Sequence, residues 1–273
     1  MIARRLAWAP HVYSIELRKL LSYRLDFWTQ FLGALFVELL VAYCLWKAIF
    51  AQVGTDRIAG YGLGAMMLYY LVVSILDRIN RGPEWPGMIS REIYEGGLTR
   101  YMVFPVPFLG FKYLTLLAYL SICLVQLAAG VLAFALLIGL PAEIHITPLS
   151  ALQFLGAILL ANYLYFVMSA IFEMVAFWAE SAWSLAVTLR MTVSLLGGTL
   201  IPLALFPAWS QPVLAWLPFP CIISFPARSL LGELDMAAWA GWAAVTLGWA
   251  GFFTVLAGLV WKAGSREYSA VGH

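Results

Sequence analysis

"YLTLLAYLSICLVQLAAGVLAFALLIGL", residues 113–140, carries no charged side chain anywhere along its length. A helix needs roughly 20 predominantly apolar residues to cross the hydrocarbon core of a bilayer, and this run is longer than that. The rest of the chain agrees: 63% of its 273 residues are hydrophobic and 11% are charged, with a mean hydropathy of +0.89. A soluble domain needs about a quarter of its residues charged. The composition therefore predicts an integral membrane protein, and the length suits about six spans with short connections and no separate soluble domain.

Reading outward from that run gives five more apolar stretches. They are Phe27 to Trp46, Ile58 to Leu76, Leu149 to about Trp178 with Glu173 near its end, Trp183 to Phe206 with Arg190 in its first turns, and Met236 to Trp261. These runs are unbroken and do not alternate, which excludes a β-barrel. The expected class is an all-α polytopic bundle of six transmembrane helices. No small-residue cleavage site follows a short apolar region near Phe27, so the first run is expected to be a retained span. Cys44, Cys123 and Cys221 are odd in number and widely spaced, which predicts buried inert thiols and no metal site.

Thirteen of the 16 Lys and Arg residues fall on one side of this arrangement, leaving Lys47, Arg57 and Arg228 on the other. The positive-inside rule then places both termini in the cytoplasm. It divides the chain into an amphipathic N-terminal segment (1–26), a transmembrane domain (27–262) and a tail (263–273). Residues 11–27, "HVYSIELRKLLSYRLDF", have the pattern of a basic interfacial helix among anionic headgroups.

The largest cytoplasmic loop runs "PEWPGMISREIYEGGLTRYMVFP" from Pro83. Trp85, Ile89 and Ile93 recur every fourth residue, and Gly96-Gly97 offers a left-handed stop, which predicts a short amphipathic helix at about 84–101. It is either a solvated connector or a helix that docks on a cytoplasmic partner, since apolar knobs with charges suit a helix-in-groove contact. Residues 200–233 hold Pro202, Pro207, Pro212, Pro218, Pro220 and Pro226, six of the 13 prolines, so they cannot form one continuous span. Two short re-entrant or interfacial helices are expected over about 207–234, broken near Pro218 and Pro220 and anchored by Trp209 and Trp216. Irregular backbone at that depth must be buried in protein or line a cavity, which makes these residues either gate candidates or a folded plug that only closes the bundle.

Charges within apolar runs are costly and call for a role. Glu38, midway along the first run, is a candidate for the translocation path, where it either faces a polar path or is hydrogen-bonded between helices. Glu173, Glu180 and Arg190 lie near the cytoplasmic ends of their runs and are expected to form a structural ion pair or to snorkel. No phosphate loop, HExxH or GxSxG occurs, and the three histidines are scattered, so the chain offers no catalytic residues and no ATP site of its own.

In its order of parts the chain resembles the type-two ABC exporter permeases. "SREIYEGGLTRYMVFPVPF" (90–108) is similar to that family's charged, glycine-containing coupling segment, although Arg100 and Tyr101 stand where leucine is often found. "LPFPCIISFPARSLLGE" (217–233) resembles the pattern before the last span in the bacterial six-span subgroup often encoded beside a daunorubicin-type ATPase. The resemblance implies a half-transporter in the bacterial inner membrane that exports a hydrophobic or amphipathic substrate. It would pair with a second copy or a related permease and bind ABC ATPase subunits, where ATP and Mg would be held. The chain itself would bind no cofactor or metal, and its other partners would be membrane lipids and no nucleic acid. On this resemblance 84–101 is the coupling helix, with Trp85, Ile89, Arg91, Glu92, Ile93 and Glu95 making the contact. Spans one and five flank the path, and the outer helices gate its exit.

Two other classes stay open on the residues alone. Glu38 as a proton or sodium site would suit an ion-driven secondary transporter, although no internal repeat with paired broken helices is visible. A lipid-modifying enzyme would need Glu173, Glu180, Arg190, Asp77 and Arg78 to converge at headgroup depth.

Overall fold

The computed structural model describes residues 8–22, 24–83, 87–103 and 106–268, and these form helices with no strand among them. The all-α polytopic class is therefore observed. In chain order the α-helices are α1 (Ala9–Ser22), α2 (Arg24–Val53), α3 (Leu63–Arg81), α4 (Ser90–Tyr94), α5 (Leu98–Val103), α6 (Phe108–Leu137), α7 (Pro148–Met174), α8 (Trp183–Leu196), α9 (Gln211–Leu214), α10 (Pro218–Ile222), α11 (Ser224–Leu230) and α12 (Met236–Glu267). Five of them, α2, α3, α6, α7 and α12, are long and apolar enough to cross a membrane.

The fifth expected span is shorter than the sequence suggested. Its helix, α8, has 14 residues, which rise about 21 Å and fall short of a bilayer core of about 30 Å. The reason is local. Gly198 takes φ +100°, and a Cβ on Gly197 would meet the carbonyl oxygens of Val193 and Phe219. Pro202 and Pro207 then prevent the helix from resuming. The apolar character of residues 197–206 belongs to a broken segment leading into α9.

Local signals fix the ends of the long helices. Thr147 and Ser150 form a capping box at the start of α7, with Pro148 in its first turn. Asp235 accepts from the Ala238 N–H at 2.7 Å and starts α12. Gly82, at φ +69°, ends α3.

The centre of the bundle is α3 and α7. In each, 67% of the span's core window is buried inside the chain, against 11% in α2. Lipid tails are as apolar as leucine, so the spans gain little from transfer and rely on close packing and interhelical hydrogen bonds. The Tyr69 hydroxyl donates to the Gly198 carbonyl at 2.7 Å and that of Tyr70 to Leu200 at 2.8 Å. Asn80, in the last turn of α3, donates to the Ile222 carbonyl at 3.3 Å. These bonds pin the broken segment and α10 against α3.

The re-entrant region holds three short helices where two were expected. Pro218 opens α10, whose first turn needs no proline N–H, and Ile223 separates α10 from α11. Cys221, Ile222, Ile223, Phe225 and Ala227 are fully buried, so this irregular backbone is enclosed by protein. Cys123 is buried as well, whereas Cys44 is exposed on α2, contrary to the expectation of three buried thiols. Helix α1 lies along the first half of α6, with the Tyr13 hydroxyl 2.7 Å from Ser121 Oγ.

Candidate functional site

The connection between α3 and α6 carries the expected coupling residues Ile89, Arg91, Glu92, Ile93 and Glu95 and meets Glu173 at one end of the bundle. It does not form a single helix. Gly96 takes φ +72° and stops the first turn, leaving α4 and α5 as two short pieces. Trp85 lies outside the described residues.

A short helix exposes its first N–H groups, and α4 has no side-chain cap of its own. The acceptor comes from α7. Glu173, 2% exposed, takes the Ile89 N–H at 2.6 Å and the Ser90 N–H at 3.2 Å on Oε2, while the Ser169 hydroxyl donates to Oε1 at 3.3 Å. The carboxylate therefore caps a helix from another element and ties the loop to the end of a central span. Glu173 makes no ion pair with Glu180 or Arg190. Glu180 is exposed, and Arg190 faces Asp77 at 3.9 Å, where Asp77 also pairs with Arg81 at 3.0 Å. Of the charges that a lipid-modifying enzyme would have needed together, Asp77 and Arg190 meet, whereas the Glu173 carboxylate is taken up by the loop and Glu180 is exposed.

Glu92 makes a second tie. Lys112 Nζ, on the first turns of α6, lies 2.9 Å from Oε1, Arg100 donates to both carboxylate oxygens at 2.9 Å, and the Tyr101 hydroxyl donates at 3.2 Å. Burial pushes the Glu92 carboxyl up, but Lys112 and Arg100 outweigh it and leave its pKa below the ordinary value. The absence of a side chain at Gly97 makes room for this tie, because a Cβ there would displace the Glu92 carboxylate.

The apolar face of the loop is also used within the chain. Ile89, Ile93 and Leu98 are buried in a cluster with Phe108, Ala170, Met174, Ala176 and Ala257, which spans α6, α7 and α12. The Tyr94 hydroxyl donates to the Ala179 carbonyl at 3.0 Å. Ile89 and Ile93 were expected to be knobs for a partner, but their four-residue stripe packs inward against the ends of α6, α7 and α12. The outward face carries Arg91, Glu95, Thr99, Arg100, Met102 and Val103. The side chains of Arg91 and Glu95 pair with none of the described residues.

The remaining candidates lie elsewhere. Glu38 is exposed on α2 among Phe36, Val37, Leu40 and Val41, which are exposed as well. Trp209 and Trp216 are exposed near the re-entrant segment, and Pro218 and Pro220 are buried in α10.

Sequence reasoning missed Lys112 as the partner of Glu92, and Asp77 as the partner of Arg190. The i,i+4 spacing of Asp77 and Arg81 was a usable signal; the other two pairings join distant parts of the chain. It also missed a polar cluster at the opposite end, where the Tyr61 hydroxyl donates to Glu233 Oε1 at 2.5 Å and Arg228 Nε to Oε2 at 3.2 Å.

Comparison with curated proteins and with solved structures finds no match. A family model described as "ABC-2 family transporter protein" matches residues 36–272, which include the loop, the re-entrant helices and the first span from Phe36 onward. With the multi-pass architecture, this makes the chain a member of the ABC-2 transporter family and the membrane permease component of an ABC transporter.

Proposed function

We propose that the chain is the permease half of an ATP-driven exporter in a bacterial inner membrane, and that the α4–α5 loop couples it to a separate ATPase subunit that holds ATP and Mg. The observation that carries this reading is the pair of ties at the loop: Glu173 holds the start of α4 to α7, and Glu92 holds its middle to α6. A partner that pushes on such a loop moves two spans with it. A loop that only joined α3 to α6 would need neither tie.

On this reading the partner meets Arg91 and Glu95, whose side chains pair with none of the described residues, while Glu92, Ile89 and Ile93 transmit from within. Both termini and this loop face the cytoplasm, in line with the basic residues that flank them. Two permease copies, or this chain and a relative, assemble across α2, whose exposed Glu38 is too costly to leave in lipid and lies beside the path between them. The re-entrant helices close the outer end. The substrate is hydrophobic or amphipathic.

Co-purification from native membranes in mild detergent tests the docking face. Wild type is expected to retain a chain with a phosphate loop, and the double variant Arg91→Glu, Glu95→Arg to lose it while staying inserted and folded. Full retention by the variant would assign the docking contact elsewhere.

A further inference from the structure

We propose that the end of the molecule remote from the α4–α5 loop binds one phospholipid, with its headgroup in a polar cavity and an acyl chain in an adjoining groove on α12. The site is contained in a single copy of the chain and does not depend on ATPase coupling.

The polar half is a cavity of about 480 Å³, walled by the 59–61 turn, residues 202–204, α9, α11 and Trp242, which is of the size that takes small ligands. Arg228 lines it. Its Nε is held by Glu233 at 3.2 Å, and Glu233 is held in turn by the Tyr61 hydroxyl at 2.5 Å. Both terminal nitrogens of the guanidinium are without a partner among the described residues, so a fixed, forked donor faces the cavity. Ser224, 2% exposed, lines the same space, and its hydroxyl has no partner among the described residues. A buried hydroxyl and a guanidinium fork together suit a phosphate. Glu143, another wall of the cavity, adds a carboxylate whose Oε1 pairs with Arg57 at 3.1 Å. A headgroup that carries both phosphate and ammonium meets both kinds of charge.

The apolar half is a groove of about 1110 Å³ lined by Ala215 and Trp216 from the broken segment and by the face of α12 that carries Gly241, Val245, Gly248 and Phe252. Ala215 and Trp242 are walls of both spaces. This shared wall selects the occupant. A helix of another protein would fill the groove and leave the charged cavity unused, whereas a phospholipid fills both with one molecule. A Cβ on Gly241 or Gly248 would meet nothing within 4 Å, so the groove is not needed for packing inside the chain.

The test uses the purified chain in phosphatidylethanolamine vesicles, with one photoactivatable group in the acyl chain of the labelled lipid. Labelled peptides are expected to concentrate at 215–216 and 241–252, above the level on the exposed face of α6 at Val125, Leu132 and Leu136. Gly248→Leu, which fills the groove without touching the core, is expected to reduce that labelling to the α6 level. Arg228→Gln is expected to lower it roughly tenfold, the effect of losing a charge-assisted contact, and to leave labelling by a diacylglycerol with the same tail unchanged. If Arg228→Gln fails to insert, Ser224→Ala is read in its place, with the same direction expected. Equal labelling of α6 and α12, or no response to either headgroup variant, would overturn the proposal. So would oxidative dimerisation of Gly248→Cys in a variant with Cys44 removed, which would give the groove to a second copy.

Discussion

At the scale of single residues, the buried carboxylate of Glu173 has the largest expected effect. Its removal leaves the Ile89 and Ser90 N–H groups without an acceptor in an enclosed place, where each orphaned donor costs about 1–3 kcal/mol. Glu173→Ala is therefore expected to raise amide exchange at residues 89–94 by at least about tenfold while α3 stays protected, and hydrogen exchange with mass readout checks it. Unchanged exchange would show that the loop holds itself. Glu92 gives a pH test. Its folded-state pKa lies below the ordinary value of 4.5, so its contribution is complete above that value and is lost as pH falls through the lower, folded one. Acidification through that window is expected to loosen residues 90–101 in wild type, and Glu92→Gln should remove that pH dependence.

At the scale of elements, the loop is two short helices whose inward and outward faces do different things. Ile93→Asp would place a charge in the cluster of Phe108, Ala170 and Met174 and is expected to unfold the loop locally. Arg91→Glu with Glu95→Arg changes only the outer face. Limited proteolysis between 87 and 103 should separate the two, with cleavage of Ile93→Asp and none of the double variant. Gly97→Ala is expected to resemble Ile93→Asp in milder form, because its Cβ displaces the Glu92 carboxylate. Apolar length, Gly96 and the spacing of Ile89 and Ile93 were enough to place a helix in this loop. They were not enough to tell which way it faced, since a four-residue stripe fits a partner's groove and the chain's own core equally well. Glu173 illustrates the same limit. The sequence marked it as a costly charge, but the donors it serves are backbone N–H groups more than 80 residues away, and no side-chain pattern reports a backbone partner. The fifth run was read too long because Gly197 and Gly198 look harmless in an apolar stretch until the close approach of Phe219 is known.

At the scale of the whole molecule, the ties at the loop and the enclosed re-entrant helices are joined by the two central spans. Glu173 belongs to α7, against which α10 and α11 pack, and Asn80 of α3 holds the Ile222 carbonyl. A push on α4 thus has a continuous protein route to the far end. The family model covers this whole route, and the exposed length of α2 leaves a face for a second permease. The most direct measurement places spin labels at Asp56 and Trp209, both exposed at the far end, in the complex with its ATPase, and compares the distance distribution with and without ATP. In wild type the distribution is expected to change when ATP is added. In Glu173→Ala the ATPase should still be bound and the distribution should stay fixed. If Glu173→Ala responds to ATP as wild type does, the tie between α4 and α7 does not carry the motion, and coupling runs through other contacts.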